Sequence, residues 1–163
     1  MGCGKSMLCR YLLRRVQYYP VVDFKCSGFT TTQQLIVAMW GKVKSTFLHH
    51  HSYHQNHQIH SSKRKKYHVF ESAISSISCP TNFKSLVISL REIIDTYYCK
   101  TEEDSSSRKG KGGVQSTALC IFLDGIDHLA SLSGEPSICA KFLALSTVRE
   151  LTLYVLYVCI WHR

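Results

Sequence analysis

Apolar positions in this chain follow two rhythms, one of helices and one of buried strands. Between Lys5 and Val16 the residues Met7, Leu8, Tyr11, Leu12 and Val16 recur at helical spacing, with Arg10, Arg14 and Arg15 between them. Pro20 then stops the helix, and Val21 to Cys26 is a short β-rich run closed by Ser27-Gly28. The stretch TTTQQLIVAMWGKVKSTFL predicts a second helix. Thr30 or Thr31 would cap it, and Leu35, Ile36, Met39, Trp40 and Val43 form its apolar stripe. A weaker helix over Val69 to Ile77 ends at Cys79-Pro80. Asn82 is placed to cap a clearer one in NFKSLVISLREIIDTYY, whose Phe83, Leu86, Val87, Leu90, Ile93, Ile94 and Tyr97 share a face.

Ala118 to Leu123 is continuously apolar and ends in an acidic turn, as a strand buried on both faces of a parallel sheet does. PSICAKFLALSTVREL reads as a helix, and LTLYVLYVCIW as another buried strand. Strands alternating with helices predict a three-layer α/β domain with a mostly parallel sheet over residues 1–163. Two polar segments, at about 45–68 and about 100–117, break the rhythm and read as solvated insertions. The first contains HHHSYHQNHQIHSSKRKKYH, which holds seven of the nine histidines.

Composition adds a bias rather than an answer. A net charge of +9 suits a partner that carries phosphates. The eight cysteines form no C-x-x-C pair and mostly sit in apolar runs, so they read as buried, reduced thiols of an intracellular protein. Lys5 and the polar stretch after Arg14 interrupt any signal-peptide core. The apolar run from Leu151 to Trp161 is too short for a bilayer, which needs about 20 residues, so no membrane partner is expected.

Two motifs carry chemistry. Gly2, Cys3, Gly4, Lys5 and Ser6 match the second half of the phosphate-binding pattern G-x-x-x-x-G-K-[ST], but the first glycine and the strand before it are absent. In a working loop, backbone N–H groups cradle phosphate oxygens, Lys5 reaches the β and γ phosphates, and the Ser6 hydroxyl holds Mg²⁺. Without the front half, GCGKS also fits a glycine-rich tail before a capped helix. The second motif is CIFLDGIDHL. Asp124, at the end of a buried strand, is placed to reach the metal beside the phosphates, and fits equally an ordinary Asp-Gly turn. The order of the two motifs and the elements between them is the order a P-loop ATPase requires, which favours ATP and Mg²⁺ as ligands.

The order of pieces also carries a resemblance. PVVDFKCSGFTTTQQLIVAMW resembles the strand and helix after the P-loop of AAA+ initiator-type ATPases, and NFKSLVISLREII resembles the helix before their second acidic strand. IFLDGIDHL, AKFLALSTVREL and LYVLYVCIW resemble the next elements of one family, origin recognition complex subunit 5. The resemblance implies an AAA+ sandwich lacking the strand before the P-loop, the lid and the winged helix. It implies a nuclear, ATP-binding component of replication initiation, with other origin recognition subunits as partners and DNA contacted through the complex. Gly2, Cys3, Gly4, Lys5 and Ser6 fall on the P-loop, and Asp124 on the metal-side acid. The chain departs from hydrolysing relatives at Gly125, where they carry Glu or Asp, and Asp127 lies two positions on. Binding with little or no hydrolysis is therefore expected. Cys159 would stand where the family usually has a polar sensor residue. Met1 is expected to lie inside the loop of a longer protein. The shortened chain would then bind ATP poorly and self-associate through the exposed strand near its end.

Two other readings remain open. LDGIDHL is similar to the L-D-G-x-D-E-L of NACHT and related STAND signalling ATPases, although His128 replaces their acid. The histidine tract suits Zn²⁺ in a metal-binding scaffold protein. Lys63 to Lys66, KRKK, reads as a nuclear localisation element, a phosphate-contacting patch or a solvated charge run.

Overall fold

The computed structural model describes Met7, Leu8, Arg10, Tyr11 and Arg15 and residues 19–56, 63–105, 119–134, 137–147 and 153–158, with side chains outside 54–56, 63–68, 99–105, 146–147 and 153–158. The order is β1 (Val21–Lys25), α1 (Thr32–Asn56), α2 (Lys63–Ser76), α3 (Phe83–Ser105), β2 (Leu119–Asp124), a 3₁₀ turn (Ile126–Ser131), α4 (Ile138–Leu143), a second 3₁₀ turn (Ala144–Thr147) and β3 (Leu153–Val158). The three strands form one parallel sheet in the order β1-β2-β3. This is the α/β class that the alternation of strands and helices predicts.

β2 is the central strand, and all six of its residues are buried. Its near-continuous apolar sequence follows from having both faces covered. One face presents Leu119, Ile121 and Leu123, which join Val22 and Phe24 of β1 in the main core. Residues of α1, α3 and α4 complete that core, among them Leu35, Ile36, Met39, Leu86, Leu90, Ile93 and Phe142. The opposite face carries Asp23 on β1 and Cys120, Phe122 and Asp124 on β2. Arg10, in the N-terminal helical residues, lies over this second face, its guanidinium 5.8 Å from the Phe122 ring centre.

The helix starts are legible side chain by side chain. Thr31 caps α1, its Oγ1 accepting the Gln34 N–H at 3.2 Å, while Gln34 Oε1 turns back to accept from the Thr30 N–H and hydroxyl. Asn82 caps α3 through Oδ1, which accepts the Ser85 N–H at 2.9 Å. Beyond α2, the Ile77 carbonyl accepts from Lys44 Nζ, and the chain reaches Cys79-Pro80. Gly28 takes φ +92° in the turn after β1, a conformation that only glycine adopts freely.

Three sequence expectations need correction. Helix α1 does not end near residue 48. It runs to Asn56, and α2 begins at Lys63 rather than Val69, so the described part of the first expected insertion is helical. Its early residues are also packed. Phe47 is buried, His50 Nδ1 lies 2.6 Å from the Tyr97 hydroxyl, and His51 stacks on Phe70 with ring centres 4.2 Å apart. Helix α3 likewise continues to Ser105, into the second expected insertion. The polar composition hid an aromatic cluster whose members come from three separate helices.

The second correction concerns the N-terminal helical stripe. Met7, Leu8 and Tyr11 are 78%, 60% and 54% exposed, whereas Arg10 faces the sheet. The sheet face beneath carries Asp23 and Asp124, so charge pairing rather than apolar periodicity accounts for the Arg10 orientation. The third concerns cysteine. Cys26, Cys79, Cys120 and Cys139 are all free thiols, but Cys79 is exposed and Cys139 only partly buried.

Candidate functional site

Parallel α/β sheets place ligand chemistry at the carboxyl ends of their strands. Here that edge is built from β1 running into Cys26 and β2 running into Asp124-Gly125. The two ends are tied, because the Cys26 N–H donates to the Asp124 carbonyl at 2.8 Å. The following loops are tied as well. Thr31 and Ser133 form a parallel bridge, the Thr32 N–H donates to the Ser133 carbonyl, and the Ser133 N–H and hydroxyl donate to the Thr30 carbonyl. The start of α1 and the end of the first 3₁₀ turn are thus fixed to each other beside the strand ends.

Asp124 is the one sequence-predicted site residue inside the described region, and it is 7% exposed. Gly2, Cys3, Gly4, Lys5 and Ser6 lie outside the described residues, as does Cys159. Arg10, which sequence reading passed over, is a partner that the structure adds. Its Nε donates to Asp23 Oδ2 at 2.8 Å, and its Nη2 donates to Asp124 Oδ2 at 3.1 Å. The hydrogen bond to Asp23, with the charges of both carboxylates, raises the Arg10 pKa further above its usual value. A signal for Arg10 existed in the sequence, since it stands four residues after Ser6 at the spacing expected of one helix face.

The turn after Asp124 explains the missing carboxylate. Gly125 takes φ +73° and ψ +46°, the left-handed conformation, at the entry to the 3₁₀ turn. A Cβ there would stand 3.0 Å from His128 Cδ2. The position therefore selects glycine, and Asp127 sits exposed on the turn beyond it.

Mg²⁺ fits the described donors poorly. A carboxylate at a strand end is the hard oxygen ligand it takes, but Arg10 already places a positive charge on the same oxygen of Asp124. Among the described residues, no group of three or more His, Cys, Asp or Glu side chains could hold a metal ion. No helix among them is long and apolar enough to cross a membrane.

Cys26, whose N–H bonds the Asp124 carbonyl, is a buried thiol beside the site. Burial first, then the negative charges of Asp124, Asp127 and Cys139, push its thiol up to about 12. Cys120 is raised by burial alone. At pH 8 a thiol-alkylating reagent is therefore expected to label Cys79 at least ~100-fold faster than Cys26 or Cys120, read by peptide mass mapping. In the unfolded chain the Cys26 thiol ionises near 9.0, and in the folded chain only near 12. Its contribution is present below pH 9 and is lost as pH rises towards 12, so chemical denaturation across that window should show stability falling.

No protein family, curated protein or solved structure compared with this chain matches it.

Proposed function

We propose that this chain is a nucleotide-binding α/β component of the origin recognition type, which binds ATP with little or no hydrolysis. In this reading it acts in the nucleus as a subunit beside other origin recognition subunits, and meets DNA through their complex. One observation carries the reading. Arg10, four residues beyond the G-C-G-K-S segment, is hydrogen-bonded to the acid that ends the central strand. That contact supports the pairing of the two motifs on which a P-loop site depends, because Arg10 follows the first motif closely in sequence and touches the acid of the second. The strand order β1-β2-β3, with a helical connection before each parallel partner, is compatible with it.

The lack of hydrolysis follows from Gly125. Activation of an attacking water needs a carboxylate where this glycine takes its left-handed turn. Gly125→Glu is therefore expected to lose about 1–2 kcal/mol of stability to backbone strain and to gain no ATP turnover. A phosphate-release assay on the purified variant, with urea denaturation beside it, reads both effects. Restored turnover would show that the turn is not the obstacle.

The experiment that tests binding is a fluorescent-ATP titration of the full chain against Lys5→Ala. Lys5 would supply the charge on the β and γ phosphates, so its loss should weaken binding by at least ~10-fold. Equal affinities, or no binding by either protein, would remove the nucleotide reading.

A further inference from the structure

We propose that Arg10 holds the Asp124 carboxylate in place of a divalent cation, so that nucleotide binding at this strand end does not require Mg²⁺. The inference rests on the nucleotide-binding reading for its second half only. Its first half stands on the geometry of three side chains. The Arg10 guanidinium spans two neighbouring strands, with Nε on Asp23 Oδ2 at 2.8 Å and Nη2 on Asp124 Oδ2 at 3.1 Å. Phe122 shares that sheet face, opposite Asp23 and two residues before Asp124, with its ring centre 5.8 Å from the guanidinium carbon, and gives the planar cation an apolar surface to rest on.

This arrangement does electrostatically what a metal would do. Asp23 and Asp124 together bring two negative charges to the edge where a triphosphate, itself strongly negative, would approach. A bound cation is what normally makes such an approach possible. Here the guanidinium already neutralises one of the two charges and is tethered to the fold rather than drawn from solvent. Magnesium would have to coordinate a carboxylate oxygen at about 2 Å and shed water reluctantly. The same Asp124 oxygen has Nη2 3.1 Å away, so the ion would meet a fixed positive charge at close range. Lysine could not do the same, because a single ammonium cannot present two divergent donors in one plane to two strands. The position therefore specifies arginine.

Two titrations of the full chain test this. In the first, Mn²⁺ is added without nucleotide and free ion is followed by electron paramagnetic resonance. The native chain is expected to leave Mn²⁺ free up to ~1 mM, and Arg10→Gln to take up one ion. Saturable uptake of one Mn²⁺ by the native chain, abolished in Asp124→Asn, overturns the proposal. In the second, fluorescent-ATP affinity is measured with Mg²⁺ and with a chelator. The native affinities should agree within about threefold, whereas Arg10→Gln should prefer Mg²⁺ by at least ~10-fold. A Mg²⁺ preference of that size in the native chain also overturns it. Absence of nucleotide binding under both conditions removes the nucleotide reading and leaves the Mn²⁺ titration to decide whether Arg10 excludes metal. Should circular dichroism show that Arg10→Gln does not fold, Asp23→Asn retains the Arg10–Asp124 pair and is expected to remain indifferent to both metals.

Discussion

Phe122→Ala is expected to lower the free energy of unfolding by about 3–5 kcal/mol. Phe122 has no exposed surface and stands on the central strand, in register with Asp23 of β1 and Leu156 of β3. Deleting its ring removes a large apolar area from the second face of the sheet and leaves a cavity that paired strands cannot close by collapsing. A domain of this size has only about 5–15 kcal/mol in total, so the variant should be close to unfolding at room temperature. The loss has a second component, because the Arg10 guanidinium rests over that ring. A urea titration followed by circular dichroism reads the effect as a lower midpoint with an unchanged slope. A loss under ~1 kcal/mol would mean that the second face is not a packed layer.

The second large effect belongs to the helical layer. Phe70→Ala in α2 is also expected to cost about 3–5 kcal/mol. Phe70 is buried at 1% exposure, stacks on His51 of α1 and meets Tyr97 of α3 edge-on at 5.7 Å. Its contacts help join all three helices, and aromatic contacts of this kind add to the area they bury. If the His-rich region were a solvated insertion, Phe70 would lack its His51 contact and its truncation would cost less. Hydrogen exchange separates the two variants. Phe70→Ala should speed exchange first in α2 and the second half of α1 while β2 stays protected, whereas Phe122→Ala should expose β2 itself. Tyr97 reports on the same cluster, since burial raises its hydroxyl pKa well above the usual tyrosine value of 10.0.

These two phenylalanines also mark what could be read from sequence and what could not. The five residues Leu119 to Leu123 of β2 announce themselves as one apolar run, and Leu35, Ile36, Met39, Trp40 and Val43 line up at the spacing of one helical face, all of them buried. The caps at Thr31 and Asn82 follow from local hydrogen bonding and were legible for the same reason. The packing of His50 and His51 was not. Each is polar by composition, and the partners that bury them, Phe70 and Tyr97, stand some 20 to 50 positions away on other helices. The site divides in the same manner. Asp124 was visible as an acid ending a buried strand. Arg10 looked like one more solvated charge between Met7, Leu8 and Tyr11, because its partners Asp23 and Asp124 become neighbours only when the parallel sheet forms.

That sheet has a consequence in time. Val21 is paired with Cys120, about 100 residues further along the chain, and everything in α1, α2 and α3 lies inside the loop that this pairing closes. The three helices meet through closer contacts and need only short loops to do so. During folding they should assemble early, and β1 should dock on β2 late, after a costly search. Until then the apolar strands stand unpaired, so the slow step of folding is also the interval in which the chain is most prone to stick to copies of itself.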